Sequence, residues 1–472
     1  MQITKREFLK RLGLGGAALA GGGLLADEAV KTKQMLPQGS VGDPDNVWFG
    51  KNIFPLGHTM NDGPSCALKD GKIVQPAREI PIFHKTDVVV VGGGPAGFAA
   101  AIAAARTGAK VALVERYGSL GGLFTNGMVL IMLCTSYLVD GKYRLVTKGL
   151  TEEFARRARA LGPHVCTPPV PPNRHWQPTV DPEGAKYLMD RMVEEEKIDM
   201  FFHCWGVDTV QDGNTVLGVV FESKQGRQAI LAKQVVDCSG DADILFAAGG
   251  DYRQITHGIG HVVRLGNMDR IWAKAPPKGA SRTNKWPMRS NEANPSTWWG
   301  NTGTGPKGNG LDVRDLTAAE IGFRKEWWEH VAEMRKTPGW EEVFIANTCS
   351  QIGPRASRLV AAETIVDRAV YREGKRPADT VGMFGADGAH KAPLYVPYRQ
   401  LLPKGVDNVL CAGRMLGAPD TIDTFRLICP CFVTGEAAGT AAGLAALKGC
   451  TPRELDVPTL QKRLEKANVC LA

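Results

Sequence analysis

A run of four valines, Val88 to Val91, ends in a glycine-rich turn, and no other stretch constrains the fold of this chain as strongly. Four consecutive β-branched residues predict a strand buried on both faces, which is the habit of a central strand in a parallel sheet. The strand runs directly into Gly92-x-Gly94-x-x-Gly97. In such a turn the first glycine permits the tight reversal and the second lets the backbone approach a pyrophosphate. The third lets the following helix sit close to the sheet. That helix carries Ala99, Ala100, Ala103 and Ala104, and a second strand, Val111 to Val114, ends at Glu115, twenty-one residues after Gly94. An acid there can accept hydrogen bonds from an adenosine ribose and would repel a 2′-phosphate. Strand, turn, helix, strand and terminal acid in this order predict binding of FAD or NAD, not NADP.

Features further along the chain favour FAD. Gly118-Ser-Leu-Gly121-Gly122 follows the acid directly, Gly405 to Arg414 reads as a strand ending in Gly413-Arg414, and Thr434 to Gly443 is a small-residue helix. With these motifs the chain resembles the FAD-dependent oxidoreductases of glutathione-reductase-type fold. More narrowly, it resembles the broad FAD-dependent oxidoreductase family related to the fumarate reductase and succinate dehydrogenase flavoproteins. The resemblance covers roughly Ile80 to Lys448 and is specific for the flavin, not for a substrate. It implies an α/β fold: a Rossmann-like FAD-binding domain of glutathione-reductase type with an inserted α+β substrate domain. A second signature of that family, commonly Ala-Thr-Gly-Asp, stands here as Cys238-Ser-Gly240-Asp241. The residues expected to hold FAD are Gly92, Gly94, Pro95, Ala96, Gly97, Glu115, Arg116, Gly121, Gly122, Val207, Gly240, Asp241, Gly413, Arg414 and Gly435. Gly435 is expected to open the last helix beneath the flavin's pyrimidine ring. Its N-terminal dipole would there stabilise negative charge on reduced flavin by about 0.3–1 kcal/mol.

The 472-residue length predicts two or three domains with a large core. The divisions expected are an export signal over 1–26, an arm over 27–80 and the FAD domain in two parts, 81–250 and 349–450. Between those parts lies an insert over 251–348, and a C-terminal helix fills 451–472. The net charge of +8 is diffuse, and no basic run alternates with aromatics, which argues against a nucleic-acid partner. Thr4-Lys5-Arg6-Glu-Phe-Leu-Lys10 precedes a Gly/Ala-rich run, Leu12 to Ala26, too short and too glycine-rich to span a membrane. It resembles a twin-arginine export signal with Lys5-Arg6 in place of two arginines, cleaved after Ala20 or Ala26. The implied location is the periplasm, or the cytoplasm if this segment is instead an amphipathic or unstructured terminus. No transmembrane segment is expected after residue 26. The eleven cysteines are odd in number and scattered, without CxxC spacing. A disulfide framework and an iron–sulfur cluster are therefore not expected.

Asp181-Pro182 should cap an amphipathic helix running to Glu196. Strands over Met200 to Trp205, Leu217 to Ser223, Ala229 to Ala232 and Gln234 to Asp237 should follow, with a hairpin at Asp212-Gly-Asn214. Seven of the ten tryptophans lie between Trp272 and Trp340, where the composition shifts to that of the insert. Most should fill a core, with Trp298 or Trp299 candidates to face a ligand. The insert should close with a helix over Leu316 to Lys336.

Catalytic candidates come from two places. Gln254 to Arg264 reads as one strand, and period two puts His257 and His261 on one face, where either could take a proton. Two histidines without a third ligand do not make a metal site, and none is expected. Gly353-Pro-Arg355-Ala-Ser357-Arg358, Leu394 to Arg399 and Thr424-Phe-Arg426 match segments of the resembling family, with Ala356 where that family has glutamate. Arg355 and Arg426 are the candidates to hold a carboxylate or a developing anion.

The reaction implied is oxidation of a small organic substrate by hydride transfer to flavin N5. Without a second GxGxxG module, re-oxidation would fall to a quinone, an electron carrier or O₂. Three other readings stay open: reduction of an activated double bond, a non-redox flavoenzyme, and a flavin subunit of a complex. An oligomer is compatible with all of them.

Overall fold

A computed structural model describes residues 66–170, 176–274, 293–301, 307–385 and 392–472. The expected export signal and most of the arm, like Trp286, lie outside the described residues. The chain divides into two units, Met1–Glu79 and Ile80–Ala472. What is described of the first is a hairpin, Ala67–Lys69 with Lys72–Val74, joined by Asp70 and Gly71 at φ 48° and 70°. Positive φ at both central residues is the geometry that makes an Asp-Gly pair a hairpin turn.

The second unit is built on a seven-stranded sheet. Its strands are β1 (Ile82–Val91), β2 (Val111–Val114), β3 (Asp199–Phe201), β4 (Trp205–Asp212), β5 (Thr215–Ser223), β6 (Gly226–Asp237) and Val409–Cys411. The order β3-β2-β1-β6-β5-β4 is parallel from β3 to β6, and antiparallel from β6 to β4. Val409–Cys411 adds a parallel pairing to the end of β6. The sequence predicts two short strands where β6 is a single twelve-residue one. Its first half pairs β5, and Ala229 to Asp237 pair β1 across both predicted strands, so the intervening Lys233 does not interrupt it. Val88 to Val91 are buried as the run of valines requires.

Helix α1 (Pro95–Ala105) follows β1 and carries the core on nearly every face. Helices α2 (Leu150–Ala160) and α3 (Pro182–Glu195) come next. Asp181 caps α3 as expected, accepting from the N–H groups of Glu183 and Gly184 at 3.0 and 3.2 Å.

The region after Asp251 forms a second, smaller core. Gln254 to Arg264 is not one strand but a chain of short ones, including β7 (His257–Gly260) and β8 (Val262–Gly266). β8 is the centre of an antiparallel sheet between β9 (Thr297–Asn301) and β10 (Phe344–Thr348). Helix α4 (Val313–Met334), capped by Asp312, packs Trp327, Val331 and Met334 against Val263 and Leu265 of that sheet. It starts three residues before the predicted Leu316, because Asp312 and not Asp315 accepts the first free N–H. Arg264 on β8 reaches back to the α3 cap, with Nη2 3.1 Å from Asp181 Oδ2.

The last long helix, α5 (Ile428–Lys448), lies along α1, and α6 (Val457–Lys466) follows it. By length and apolarity α5 could cross a membrane, but it is almost wholly buried in the protein. None of the eleven cysteines is paired with another.

Candidate active site

Two adjoining cavities open at the edge of the sheet, and the smaller of them reaches Gly260 and Val262 of the smaller domain. The larger, about 800 Å³, begins at the C-terminal ends of β1 and β2. Such an edge is where open α/β sheets bind ligands. Its lining includes Gly92, Gly94, Pro95, Ala96, Glu115, Arg116, Gly122, Gly240, Gly413 and Arg414, so ten of the fifteen sequence-assigned residues meet there.

The glycines are placed for a cofactor backbone. A Cβ on Gly94 would meet no protein atom within 4 Å and would occupy the cavity itself. One on Gly97 would lie within bonding distance of Gly92 O, which closes the turn to anything larger. Gly92 has φ +98°, and a Cβ there would stand 2.4 Å from Cys238 O, so the residue is required twice over. Gly94 opens α1 with no side-chain cap, leaving the helix's first N–H groups directed at the cavity.

Glu115 is buried at the end of β2. Gly93 N–H donates to its Oε2 at 2.5 Å and Tyr117 N–H to its Oε1 at 2.8 Å. Burial raises its pKa, against the effect of these two donors. Each oxygen keeps a lone pair for a ribose hydroxyl. The guanidinium of Arg116 lies 5.0 Å from the Tyr117 ring centroid and 5.4 Å from that of Trp205, which is half exposed at the same end.

Some sequence assignments move. Val207 does not line the cavity; Trp205 and Gly206, at the start of β4, do. Gly97 and Gly121 shape the turn without lining it, and a Cβ on Gly121 would clash with Thr125. Asp241 also stands back: it accepts from Arg414 Nη2 at 2.5 Å and from Ser357 Oγ at 2.5 Å. Burial raises its carboxyl, but the Arg414 charge outweighs this and holds the pKa low. Asp241 thereby fixes Arg414 between the two cavities, both of which Arg414 lines.

Gly435 does not open the last helix. α5 begins at Ile428 after the extended Leu427, and it is Ile428 and Cys431 that face the cavity. Gly435 and Gly439 are instead points of helix contact, where a Cβ would stand 2.1 and 2.0 Å from the carbonyl oxygens of Ala96 and Ala100. The Gly/Ala pattern was legible, but it encodes close packing on α1 and not a helix start.

The smaller cavity, about 470 Å³, is lined by Arg355, Arg414 and Arg426 with Leu123, Val129 and Val262 among its apolar residues, and by no acid among the described residues. Arg426 lines both cavities. Its Nε and Nη2 donate to Asp423 Oδ1 at 3.0 and 2.8 Å. Burial would raise the Asp423 carboxyl, but Arg426 holds it below its usual value. His257 Nε2 is 3.3 Å from the same oxygen, and Gly258 N–H donates to its Nδ1 at 2.7 Å. Burial lowers the His257 pKa against the pull of Asp423.

Neither histidine lines a cavity. His257 sits behind Arg426 and Asp423. His261 is fully buried and stacked on Phe323 of α4, ring centroids 5.6 Å apart. The broken strand explains their separation, since β7 ends before His261 and the common face is lost. Trp298 packs on the smaller domain's core and Trp299 against the cluster around Met128, so neither faces a cavity.

The cavity residues fit FAD: a glycine turn whose Cβ space is open, a helix terminus, a ribose acid and room for a dinucleotide. Comparison with known proteins decides the family. The FAD dependent oxidoreductase family model matches residues 87–464. The chain belongs to the FAD-dependent oxidoreductase family.

Over 49 residues, a tenth of each chain, this FAD-dependent oxidoreductase is 59% identical to dihydrolipoyl dehydrogenase of Trypanosoma brucei brucei. Over 175 residues it is 28% identical to soluble pyridine nucleotide transhydrogenase of Chromohalobacter salexigens, covering 34% of this chain and 33% of that one. The chain thus spans between a tenth and a third of the length of these curated relatives. Among solved structures, p-nitrophenol 4-monooxygenase of Pseudomonas putida DLL-E4 aligns at TM-score 0.42 and 14% identity, over 81% of this chain and 84% of that one. A geranylgeranyl bacteriochlorophyll reductase-like protein of Thermoplasma acidophilum aligns at TM-score 0.39 and 14% identity, over 81% and 83%.

Residues that sequence reasoning missed are Trp205, Gly206, Leu123, Gln351, Ile428, Cys431 and Asp423. Leu123 directly follows Gly122, and a search of the glycine run's flank would have found it. Gln351 and Asp423 flank the Gly353-to-Arg358 and Thr424-to-Arg426 segments, and only the fold brings them here.

Proposed function

We propose that the protein is a dehydrogenase or oxidase that removes hydride from a small organic acid. The observation carrying this reading is the acid-free arginine cavity beside the dinucleotide cavity. FAD, when bound, supplies the acceptor for one hydride, which carries the two electrons of the oxidation. Arg426 faces both cavities with its orientation fixed by Asp423, and Arg355 faces the smaller one. Burial and the neighbouring Arg426 depress the Arg355 pKa, a sign that the two like charges share a desolvated space. A carboxylate between them would relieve that repulsion and accept charge-assisted hydrogen bonds. Leu123, Val129 and Val262 exclude water from the rest of the substrate. Behind Arg426, His257 acts through Asp423 as a positioning residue.

The electrons would pass on to a quinone, an electron carrier or O₂, and the Lys5-Arg6 segment supports export to the periplasm by the twin-arginine route. Cell fractionation with and without Arg6→Gln tests the location: export requires loss of the periplasmic pool in the variant.

Anaerobic bleaching of the flavin's visible band, across organic acids, alcohols, amines and sugars, tests the reaction. Bleaching by hydroxy or amino acids and not by their amides or esters is expected. Bleaching by uncharged alcohols or sugars alone would overturn the carboxylate reading. A flavin that dithionite reduces, that no donor bleaches and that an unsaturated acid re-oxidises would point to the reductase direction instead.

A further inference from the structure

Gln351 sets a buried polar side chain against the larger cavity. It lies just after β10, 7% exposed, and lines the larger cavity. Its Oε1 is buried and has no hydrogen-bond partner among the described residues. The backbone that carries it is anchored: Ser350 N–H and Gln351 N–H both donate to Asn126 O, at 2.9 and 3.3 Å. Asn126 belongs to the turn after Gly122, and that turn crosses the cavity where a Cβ on Gly122 would come 3.0 Å from Gly94 Cα. A rigid backbone therefore presents a buried acceptor to the cavity beyond the glycine turn.

The chemistry of the orphan narrows its partner. A pyrophosphate and a carboxylate both present only acceptors at neutral pH and cannot satisfy an amide oxygen. What Oε1 requires is a donor in the ligand. FAD offers N–H donors at two places, the exocyclic amine of adenine and the imide of the isoalloxazine, besides the hydroxyls of its ribose and ribityl chain. Of these the imide is the one on the flavin ring with an N–H flanked by C=O groups, which can engage both the oxygen and the amine of a side-chain amide. The adenosine end is marked by Glu115, Arg116 and Trp205, whereas the residues on the far side of the glycine turn are Leu123, Gln351, Arg426 and Cys431. We infer that Gln351 recognises the imide edge of the flavin ring, its amide oxygen and amine pairing with the ring's alternating N–H and C=O groups. That makes it a binding and tuning residue for the cofactor, since its hydrogen bonds touch the ring that takes the electrons. The inference rests on FAD in the larger cavity and is independent of the substrate's identity.

Three properties of purified protein test it: the flavin's visible spectrum, the FAD dissociation constant after flavin removal, and the reduction potential by dye equilibration. Gln351→Leu should weaken FAD binding about five- to tenfold, the loss of one or two hydrogen bonds, and shift both the visible band and the potential. Gln351→Glu should lower the potential below that of the unaltered protein, because a negative charge beside the ring disfavours added electrons. Circular dichroism and the thermal midpoint establish that each variant folds, and Gln351→Met serves where Gln351→Leu does not. Unchanged spectrum, affinity and potential in a folded Gln351→Leu or Gln351→Met would overturn the inference. So would a rise in substrate KM as the sole effect, which would assign the amide to the substrate. If FAD does not occupy this cavity, Gly94→Val will retain flavin, an outcome that separates failure of the premise from failure of the Gln351 assignment.

Discussion

At the scale of single residues, the site divides into groups that need space and groups that need charge. Gly94 belongs to the first: at φ −66° any residue could adopt its backbone, and no protein atom would touch its Cβ. Gly94→Val should therefore fold normally yet purify colourless, a result that absorbance and thermal unfolding together would establish. Arg355 and Arg426 belong to the second. Truncating either to alanine should raise KM for an acidic substrate by about ten- to a hundredfold, given about 1.5–3 kcal/mol for a hydrogen bond to a charged group, while leaving bound FAD in place. Asp423→Asn should act on KM more than on kcat, since it frees Arg426 without removing it. His257 adds a pH signature. Its depressed pKa keeps it neutral near pH 7, and acidification charges it beside Asp423, in competition with Arg426. KM should climb as pH falls below the histidine range, and the rise should vanish in His257→Ala.

Among the elements, the pairing of α1 with α5 matters most, because it fixes the glycine turn against the helix that closes the cavity. The contact is backbone on small residues. Gly439→Val would force a side chain into Ala100 O and should cost about 3 kcal/mol or more, seen as a lowered denaturation midpoint. Next to Gly435 stands Glu436, buried in α5, which accepts from Leu150 N–H at 2.9 Å and so caps α2 from another element. Burial pushes its pKa up to about 8, so the folded protein holds a proton there that the unfolded chain releases near the ordinary value of 4.5. The folded state then binds more protons between these values, and stability falls as pH rises from about 4.5 through about 8. Glu436→Gln, neutral throughout, should flatten that decline. It should also be more stable than the unaltered protein at the alkaline end, as denaturation across pH would register.

For the whole molecule, cofactor and fold are coupled. A ligand that binds only the folded state stabilises it by RT ln(1 + [L]/Kd), about 2.7–4.1 kcal/mol at 100 to 1,000 times Kd. Removing FAD should therefore lower the thermal midpoint by several degrees, and adding FAD back should restore it, with no response in Gly94→Val. The smaller domain is tied to the larger through Arg264 and Asp181, and through the pairing of Ile259 and Gly260 with Pro354 and Gly353. This second junction places Arg355 beside β7, with Arg355 N–H donating to Gly258 O at 3.2 Å.

Local sequence determined the nucleotide half of this protein. The valine strand, the glycine turn and Glu115 lie within thirty residues of one another, and each is dictated by backbone sterics or by strand and helix periodicity. The Asp181 cap was legible for the same reason, because a cap is satisfied by its own next three residues. The substrate half was not. His257 and His261 follow the period of one strand in the sequence, but a break after Gly260 sends one behind Arg426 and the other against Phe323. Gly435 reads as a helix start until its neighbour across the interface, Ala96, is known. The arginine cavity joins residues from β7's partner segment, the turn after Gly122 and the end of the short helix Ile422–Phe425, and Gln351 is positioned through Asn126. Such groups are set by which elements pack together, and burial and charge act through space between residues that no local pattern relates.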